Sequence, residues 1–279
     1  LRAFYATRAE TNYPLVTTQL PIYNERNVVE RLLQYIVAMD YPRDRHEIQV
    51  LDDSTDETAE ILAALAERYR NQGVDIRYIH RSRREGFKAG ALAAGVAFCR
   101  GEFTAIFDAD FLPPQDFIKK TVPFLMADPA LALVQARWGY INRNTSLLTR
   151  AQSVGIDGHF IVEQAARNFG GLFMNFNGTA GLWRKAAILD AGGWQADTLT
   201  EDMDLSYRAQ LRGWKMKFQQ DLVCPQELPE DINAFKSQQF RWAKGSIQTL
   251  KKLAPALIKS RASVRQKIAG LLHMSHYLI

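Results

Sequence analysis

Short apolar runs alternate with longer amphipathic stretches in the first part of the chain. Runs of this length and composition predict buried β-strands, here at 16–21, 47–51, 74–79 and 103–107. The stretches between them place apolar residues at helical spacing and predict helices at 25–39, 55–70 and 87–99. Asn24 is the predicted cap of the first helix, and Ser54 or Thr55 that of the second. Alternating strands and helices predict an α/β fold whose mostly parallel central sheet is flanked by helices.

The pattern is less regular after Pro113 and Pro114. The spacing there predicts helices up to Met126 and at 146–168, 201–212 and 232–253, a strand at 131–135, and strand and turn over 170–181. No linker rich in Pro, Gly or Ser interrupts the chain, so residues 1–279 are predicted to form a single domain.

The net charge limits the kinds of binding partner to expect, and the cysteine content limits the kinds of metal or disulfide site. A net charge of +5 suits a phosphorylated ligand or an anionic membrane surface. The basic residues are scattered and no nucleic-acid-binding motif is present, so nucleic acid is not expected as a partner. Cys99 and Cys224 lack metal-ligand spacing and are far apart, which predicts neither a zinc centre nor a disulfide framework.

The two ends of the chain suggest a segment of a longer, membrane-associated protein. The chain begins at Leu1 without Met and stops as it turns apolar, and it has no run of about 18 apolar residues that could span a bilayer. In the tail at 247–279, basic residues such as Lys251 and Arg265 alternate with apolar ones. This pattern is typical of a helix on a membrane surface, and equally of a helix packed against the domain.

Acidic and polar residues follow three of the predicted strands. They are Tyr23-Asn24-Glu25, Asp52-Asp53 and Asp108-Ala109-Asp110. Ligands of such sheets bind beyond the carboxyl ends of the strands. The two carboxylates of Asp108 and Asp110 at one strand end are suitable ligands for Mg²⁺ or Mn²⁺. Asp53 can accept hydrogen bonds from a base or ribose, or it can simply belong to a helix cap. No G-x-G-x-x-G follows either early strand, which argues against a dinucleotide cofactor.

Three further positions carry candidate chemistry. Lys88 follows the third strand, where a cation and helix amides can meet phosphate. Asp202 opens a predicted helix and is the candidate general base, with Asp204 as the neighbour most easily confused with it; capping is the alternative role. On the last long helix, Gln238, Arg241 and Trp242 share one face, where Trp can stack on a sugar and Arg can pair with a diphosphate.

The order of these motifs resembles processive family 2 glycosyltransferases, the cellulose-synthase-like enzymes. The match runs from about residue 14 to 253 and reads Asp53, Asp108-Ala109-Asp110, Thr200-Glu201-Asp202 and Gln238-Gln239-Phe240-Arg241-Trp242. The resemblance implies a GT-A (Rossmann-like) fold on the cytosolic face of a membrane. It also implies a nucleotide-binding half over about 14–110, an acceptor-binding and catalytic half over about 111–253, and interface helices in the tail over about 247–279.

The same resemblance assigns roles to individual residues. Asp202 would be the base, and Asp108 and Asp110 would hold Mg²⁺ or Mn²⁺. The nucleotide sugar would be bound by Tyr23, Glu25, Asp53, Lys88, Asp108 and Arg241. The acceptor would be bound by Phe176, Asn177, Gly178, Gln238 and Trp242. Phe111 follows the D-x-D motif where cellulose synthases carry a His, so a His ligand to the metal is not supported there.

The predicted function is inverting, metal-dependent hexose transfer from a nucleotide sugar to a growing β-linked polysaccharide. Segments at 135–138, 157–164 and 176–181 are most similar to the mannan and glucomannan synthase branch, which favours GDP-mannose, while UDP-glucose stays open. The acceptor is expected to be carbohydrate, free or lipid-linked. The alternatives are a single-transfer lipid glycosyltransferase of the ceramide-glucosyltransferase type, a non-catalytic sugar-nucleotide-binding module and a nucleotidyltransferase.

Overall fold

A computed structural model describes residues 13–278, and a seven-stranded sheet forms its centre. The predicted domain and tail therefore extend outside the described residues at 1–12 and 279. The strands are β1 (Val16–Ile22), β2 (His46–Asp52), β3 (Ile76–His80), β4 (Phe103–Ile106), β5 (Leu131–Tyr140), β6 (Gly181–Arg184) and β7 (Lys215–Gln226). Their order is β3-β2-β1-β4-β6-β5-β7, and only β6 runs antiparallel to its neighbours. The predicted mostly parallel α/β sheet is confirmed.

Ten α-helices accompany this sheet in residues 13–278. They are α1 (Val29–Val37), α2 (Thr58–Asn71), α3 (Phe87–Phe98), α4 (Phe117–Ala127), α5 (Leu147–Asp157), α6 (Ala165–Phe169), α7 (Lys185–Asp190), α8 (Glu201–Leu211), α9 (Ile232–Lys259) and α10 (Val264–Met274). A π-helical segment, Gly158–Gln164, joins α5 to α6. Short 3₁₀ turns cover Arg43–Arg45 and His276–Leu278.

Each strand divides its apolar side chains between two cores, because successive residues point to opposite faces. On β4, Phe103 and Ala105 join the core under α1, α2 and α4, whereas Ile106 joins the core under α3, α7 and α8. Strands β1, β2 and β4 are buried on both faces, and in β1 and β2 the buried positions include polar side chains such as Gln19 and Gln49, which hydrogen-bond to each other.

Both predicted helix caps near the first two strands are wrong. Asn24 lies four residues before the N-cap of α1 and has a left-handed backbone, with φ of 56°. Its Oδ1 accepts a hydrogen bond from the Thr55 backbone N–H at 2.9 Å, and its own N–H donates to Ser54 Oγ at 2.9 Å. Helix α2 begins at Thr58, where Asp56 rather than Ser54 or Thr55 accepts the backbone N–H. These polar side chains therefore join the ends of β1 and β2.

The second half of the chain departs further from its prediction. The segment at 170–181 is loop up to β6, and neither β6 nor β7 was predicted as a strand. The predicted helix at 146–168 is three consecutive helical segments, of which the middle one is π-helical. Helix α9 continues to Lys259, six residues beyond its predicted end at Leu253.

The tail packs against the domain through a third apolar cluster. Leu257 of α9 and Met274 of α10 are buried against Tyr207 of α8. The opposite face of α10 leaves Val264 and Ile268 exposed. One face of α10 is thus packed against the domain, and its other face exposes both apolar and basic side chains. Within residues 13–278 no helix combines the length and hydropathy needed to cross a bilayer.

Helix α9 passes within contact distance of the residue that precedes α8. A Cβ built on Gly245 would lie 2.5 Å from Thr200 Cγ2 and 2.9 Å from the Thr200 backbone nitrogen. Thr200 Oγ1 also lies 3.1 Å from Thr249 Oγ1, one turn farther along α9. Only glycine allows this approach, which sets the distance between the helix that carries Trp242 and the start of α8.

We expect Gly245→Ala to destabilise the domain by about 1–3 kcal/mol, because the added methyl overlaps Thr200. Gly155→Ala is the matched control, since it is also a helical glycine and its Cβ would meet no atom within 4 Å. That control should gain about 0.5–1 kcal/mol from helix propensity. Denaturant unfolding of both variants measures the difference, and equal stabilities would contradict the close packing of Gly245.

Candidate active site

The site begins where the carboxyl ends of β1, β2 and β4 meet at one edge of the sheet. Parallel pairing places Ile22 beside Asp52, and the Asp53 backbone N–H continues the ladder by donating to Ile22 O at 3.0 Å. The polar residues predicted to follow these strands are therefore neighbours. Asp52 itself is buried, and its carboxylate accepts hydrogen bonds from Tyr78 and His80.

Asp53 forms a bidentate ion pair that sequence reasoning missed. Its two carboxylate oxygens accept from Arg81 Nε at 2.6 Å and Nη2 at 2.5 Å, and the residue is only 4% exposed. Arg81 also donates to the backbone oxygens of Glu85 and Phe87, so it closes the loop between β3 and α3. Asp53 can reach a ribose or base only beside this guanidinium. The signal for Arg81 was its place directly after the third strand.

Tyr23 lies at the mouth of the same region. The guanidinium carbon of Arg84 stacks 3.4 Å from the Tyr23 ring centroid and 5.3 Å from that of Phe87. A cation held between aromatic rings leaves planar surfaces on which a nucleotide base can stack. The structure thus places the predicted nucleotide-binding Tyr23 and Asp53 in one half of the edge.

Lys88 and Asp108 form the centre of the site. Lys88 Nζ lies 2.5 Å from Asp108 Oδ1 and donates to Gly178 O at 3.0 Å. The Asp108 backbone N–H donates to Thr179 Oγ1 at 2.9 Å. Although burial opposes it, the charges of Asp108, Glu201 and Asp202 raise the pKa of Lys88.

The D-x-D turn is also held by the unpredicted strand β7. Leu112 N–H donates to Pro225 O at 2.9 Å, and Glu227 N–H donates to Asp110 O at 3.2 Å. Phe111 pairs with Gln226 in an isolated antiparallel bridge. The motif is therefore fixed by main-chain hydrogen bonds on both sides, which positions its carboxylates before any ligand arrives.

Negative charge accumulates around Asp110. Burial and the charges of Asp108 and Glu25 raise the pKa of Asp110 to about 7. Partial burial, followed by the charges of Asp108, Asp56 and Glu227, also raises the pKa of Glu25. A divalent cation would relieve this repulsion, and carboxylate oxygens are its preferred ligands.

Asp108 and Asp110 fit a metal ion that would be bound partly by the protein and partly by a diphosphate. Within the described part of the chain, no three His, Cys, Asp or Glu side chains are grouped closely enough to hold an ion on their own. Asp108 and Asp110 would supply two carboxylates, and the remaining positions would be open to a diphosphate. Such partial coordination is usual for Mg²⁺ in phosphate-binding sites.

Asp202 and Asp204 lie on α8 in different surroundings. Asp204 is fully buried and paired with Arg208 at 2.7 Å and Lys252 at 2.9 Å. Asp202 accepts a hydrogen bond from the Met203 N–H, and burial together with the charge of Glu201 raises its pKa to about 7. The structure therefore separates the two candidates: Asp204 is neutralised, while Asp202 is a carboxylate whose pKa suits a general base.

Gly178 brings Asp202 and Lys88 together. Its backbone has φ of +82°, and a Cβ built on it would lie 3.2 Å from Asp202 Oδ2 and 3.4 Å from Lys88 Nζ. The predicted base, the phosphate-side cation and the predicted acceptor segment thus converge on one glycine. A side chain at this position would fill the space between them.

A cavity of about 540 Å³ opens from Asp202 toward α9. Its wall includes Trp138, Phe160, Asn177, Asp202, Gln238 and Trp242. The rings of Trp138 and Trp242 have centroids 6.5 Å apart, so the two indoles border the same space. Arg241 is exposed on the neighbouring surface of α9. Indole faces beside amide groups are suited to binding a sugar.

The structure places Phe176 in the core rather than in this cavity. Its ring is fully buried between two tryptophans. The centroid of the Phe176 ring lies 5.7 Å from that of Trp183 and 6.3 Å from that of Trp194. Asn177 does line the cavity, and its backbone N–H donates to the buried Gln135 Oε1 at 3.1 Å. Phe176 anchors the segment from below, which leaves Asn177 and Gly178 as the members that can reach a ligand. Gln135 was missed because its role as a buried support has no local sequence signal.

Comparison with known sequences identifies the family to which these motifs belong. Residues 14–245 match the family described as "Glycosyltransferase like family 2". Glucomannan 4-beta-mannosyltransferase 2 of Arabidopsis thaliana is 44% identical over 257 residues, which are 90% of this chain and 48% of that protein. Glucomannan 4-beta-mannosyltransferase 1 of Oryza sativa subsp. japonica is 42% identical over 253 residues, 89% of this chain and 49% of that protein. The chain thus spans about half the length of these relatives.

Solved structures extend the comparison to the fold. The mannosyltransferase PcManGT of Pyrobaculum calidifontis, in complex with GDP-Man and Mn²⁺, superposes with a TM-score of 0.75 at 26% identity; the match covers 96% of this chain and 70% of that one. S. aureus TarS 1–349, in complex with UDP-GlcNAc, gives a TM-score of 0.70 at 15% identity over 94% and 72% of the two chains. The fold is therefore the GT-A type, as expected from the motifs.

The raised pKa of Asp202 predicts a pH-dependent cost to stability. A carboxyl whose folded pKa is about 7 stabilises the fold below its unfolded pKa, near 4, and loses that contribution as pH rises through 7. Asp202→Asn, which cannot ionise, should match wild type at pH 4. At pH 8 its free energy of unfolding should be higher by about 1–2 kcal/mol, a figure that allows for solvent screening of this half-buried carboxyl. That difference corresponds to a Tm about 3 °C higher.

Thermal unfolding at both pH values measures this difference, with Asp221→Asn as an exposed control. The control should show no gain at either pH. A gain for Asp202→Asn of the same size at pH 4 and pH 8 would contradict the raised pKa of the carboxyl.

Proposed function

Because this chain belongs to the glycosyltransferase-like family 2, we propose that it transfers mannose, with inversion, from GDP-mannose to the end of a β-linked mannan or glucomannan. The glycosyltransferase predicted from the ordered motifs is confirmed at the level of the family. The observation that carries the proposal is the convergence of Lys88, Asp202 and Gly178 between the D-x-D turn and an aromatic cavity. The names of the plant relatives and of the GDP-Man complex support mannose as the sugar.

The donor is proposed to lie across the carboxyl edge of the sheet. Its base and ribose would lie near Tyr23, Glu25 and the Asp53–Arg81 pair, and its diphosphate near Lys88 and the D-x-D turn. The site fits Mg²⁺ or Mn²⁺ held by Asp108 and Asp110, and such an ion would neutralise charge on the departing nucleoside diphosphate. Arg241, which is exposed on α9, would bind the diphosphate from the acceptor side.

Asp202 is proposed to remove the proton from the attacking acceptor hydroxyl. It lines the cavity and lies close to Lys88, so an acceptor in the cavity and a donor phosphate at Lys88 would meet beside its carboxylate. Direct attack by that hydroxyl on the anomeric carbon inverts the linkage and needs only one base. Glu201 supports the role, because its charge helps to raise the pKa of Asp202 toward the working pH.

The acceptor is proposed to be a carbohydrate chain end bound in the cavity. Trp138 and Trp242 would stack on sugar rings, while Gln238 and Asn177 would bind hydroxyl groups. The space is large enough for more than a single hydroxyl-bearing group, which favours a polymer end over a small alcohol. A lipid-linked acceptor is the alternative that the same apolar walls would accept.

We also propose that the full-length protein works at a membrane, with this domain on its cytosolic face. The outer face of α10 exposes Val264, Ile268 and Leu272 beside Arg265 and Lys267. Apolar side chains flanked by cations are typical of a helix that lies on an anionic lipid surface.

Donor binding is the first test of this function. Calorimetry on the full-length protein should show GDP-mannose binding that is at least about tenfold tighter with Mn²⁺ or Mg²⁺ than without, because the ion joins the diphosphate to Asp108 and Asp110. Asp110→Asn should lose that metal dependence, whereas the exposed Asp221→Asn should keep it. Binding of UDP-glucose but not GDP-mannose would overturn the choice of donor.

The role of the base is tested by separating binding from chemistry. Asp202→Asn should reduce mannosyl transfer by about 10³-fold or more, because the isosteric amide cannot take the acceptor proton. The Kd for GDP-mannose should stay within about twofold of wild type, since no donor contact is removed. A large loss of donor affinity in this variant would show that Asp202 acts on the donor instead.

A further inference from the structure

One wall of the acceptor cavity contains a hydrogen-bond network that the proposed chemistry does not use. The π-helical segment Gly158–Gln164 presents His159 and Glu163 to the cavity. His159 Nδ1 lies 2.9 Å from Glu163 Oε2, and His159 Nε2 lies 2.9 Å from Asn177 Nδ2. Single π-helical turns cost hydrogen-bond geometry and occur often at functional sites. The network thus links the π-helical segment to the residue that precedes Gly178.

The partners in this network determine the protonation of His159. Asn177 Oδ1 accepts a hydrogen bond from the buried Gln164 Nε2 at 3.1 Å, so the Asn177 amide nitrogen faces the imidazole. An amide nitrogen only donates, and therefore His159 Nε2 must accept. The ring proton then lies on Nδ1 and is donated to Glu163. The imidazole thus donates from Nδ1 and accepts at Nε2, and the carboxylate of Glu163 selects this tautomer.

Glu163 is itself held by Arg167 and by groups on α10. Arg167 Nε and Nη2 lie 3.0 Å and 2.9 Å from its Oε1. Although burial opposes it, hydrogen bonding from His159 and the nearby charges hold the pKa of Glu163 well below its usual range. Arg167 also donates to Ala269 O on α10 at 3.4 Å, and His273 of α10 lies 3.8 Å from Glu163. The carboxylate therefore has one fixed position between the tail helix and the cavity.

We infer that Glu163 is a positioning residue for the acceptor: through the Nδ1-protonated tautomer of His159 it orients the Asn177 amide beside Asp202. The inference rests on the proposed function for the identity of the acceptor. Without the carboxylate, the His159 proton has no partner at Nδ1, and the ring can donate from Nε2 instead. That tautomer would place two donors against each other, and the Asn177 side chain would turn away from its site.

Two substitutions separate this role from simple structural support. Glu163→Ala removes both the acceptor for His159 and the partner of Arg167. Glu163→Gln keeps an oxygen that can accept from His159 Nδ1–H but loses the charge opposite Arg167. Both variants should lower the Tm, whereas only in Glu163→Ala should the His159 proton no longer be fixed on Nδ1. Glu67→Ala, an exposed glutamate on α2, is the matched control.

Calorimetry on the full-length protein with β-1,4-linked mannotetraose measures the effect on the acceptor. Glu163→Ala should raise its Kd about tenfold, the cost of one misplaced hydrogen-bonding group, while Glu163→Gln and Glu67→Ala stay near wild type. The Kd for GDP-mannose should not change in any variant. Equal loss in Glu163→Ala and Glu163→Gln, or parallel loss of donor and acceptor binding, would overturn the inference and leave a structural role.

Nitrogen-15 NMR of histidine-labelled full-length protein gives a readout that needs no activity. The His159 signal should report the Nδ1-protonated form in wild type and Glu163→Gln, and a change of form in Glu163→Ala. An unchanged tautomer in Glu163→Ala would overturn the inference even in an active enzyme. If the wild type transfers no mannose but shows the expected tautomer and mannotetraose binding, the proposed function fails while the positioning role stands.

Discussion

The accumulation of carboxylates around a single lysine is the constraint on which the site depends. Asp108, Glu201 and Asp202 all act on Lys88, whose ammonium bridges Asp108 to the backbone of Gly178. A single positive charge cannot neutralise this many carboxylates, and burial together with the remaining negative charge raises the pKa values of Asp110 and Asp202. The carboxylates of the site therefore repel one another, and a divalent cation bound among them would relieve that repulsion.

The surrounding structure holds those charged groups in place through hydrogen bonds between neutral groups and through ion pairs. Strand β7 and the D-x-D turn exchange main-chain hydrogen bonds, and Gln135 binds the backbone of the 177–180 segment from below. Asp53 and Asp204 are neutralised by Arg81 and Arg208. Repulsion is thus confined to the few carboxylates that face the ligand, because the others have been given a cation.

How far sequence predicts this protein depends on whether a signal is local. Strands β1 to β4 were predicted because each is a short segment rich in apolar and β-branched residues that alternates with a stretch of helical spacing, and polar residues follow three of the four. Strand β7, with the polar run Gln219-Gln220-Asp221, gave no such signal; its position follows from pairing with β5. For the same reason Asp108 and Asp202 were found from their motifs. Gln135 acts on distant parts of the chain and became evident only from its contacts, and Arg81 had no signal beyond its place after the third strand.

Asp202 and Asp204 show why residue type alone does not assign chemistry. Both are aspartates in the first turn of α8, where the helix dipole acts on each. Two residues correspond to more than half a helical turn, so the two side chains leave the helix on different faces. One meets Arg208 and Lys252, and the other meets Glu201 and the cavity. Burial without a cation is costly for a structural carboxylate, but it is the condition under which a carboxylate can bind a proton near neutral pH. The fold therefore distinguishes the two by their neighbours: Asp204 is paired with two cations, whereas Asp202 lies beside Glu201 at the cavity.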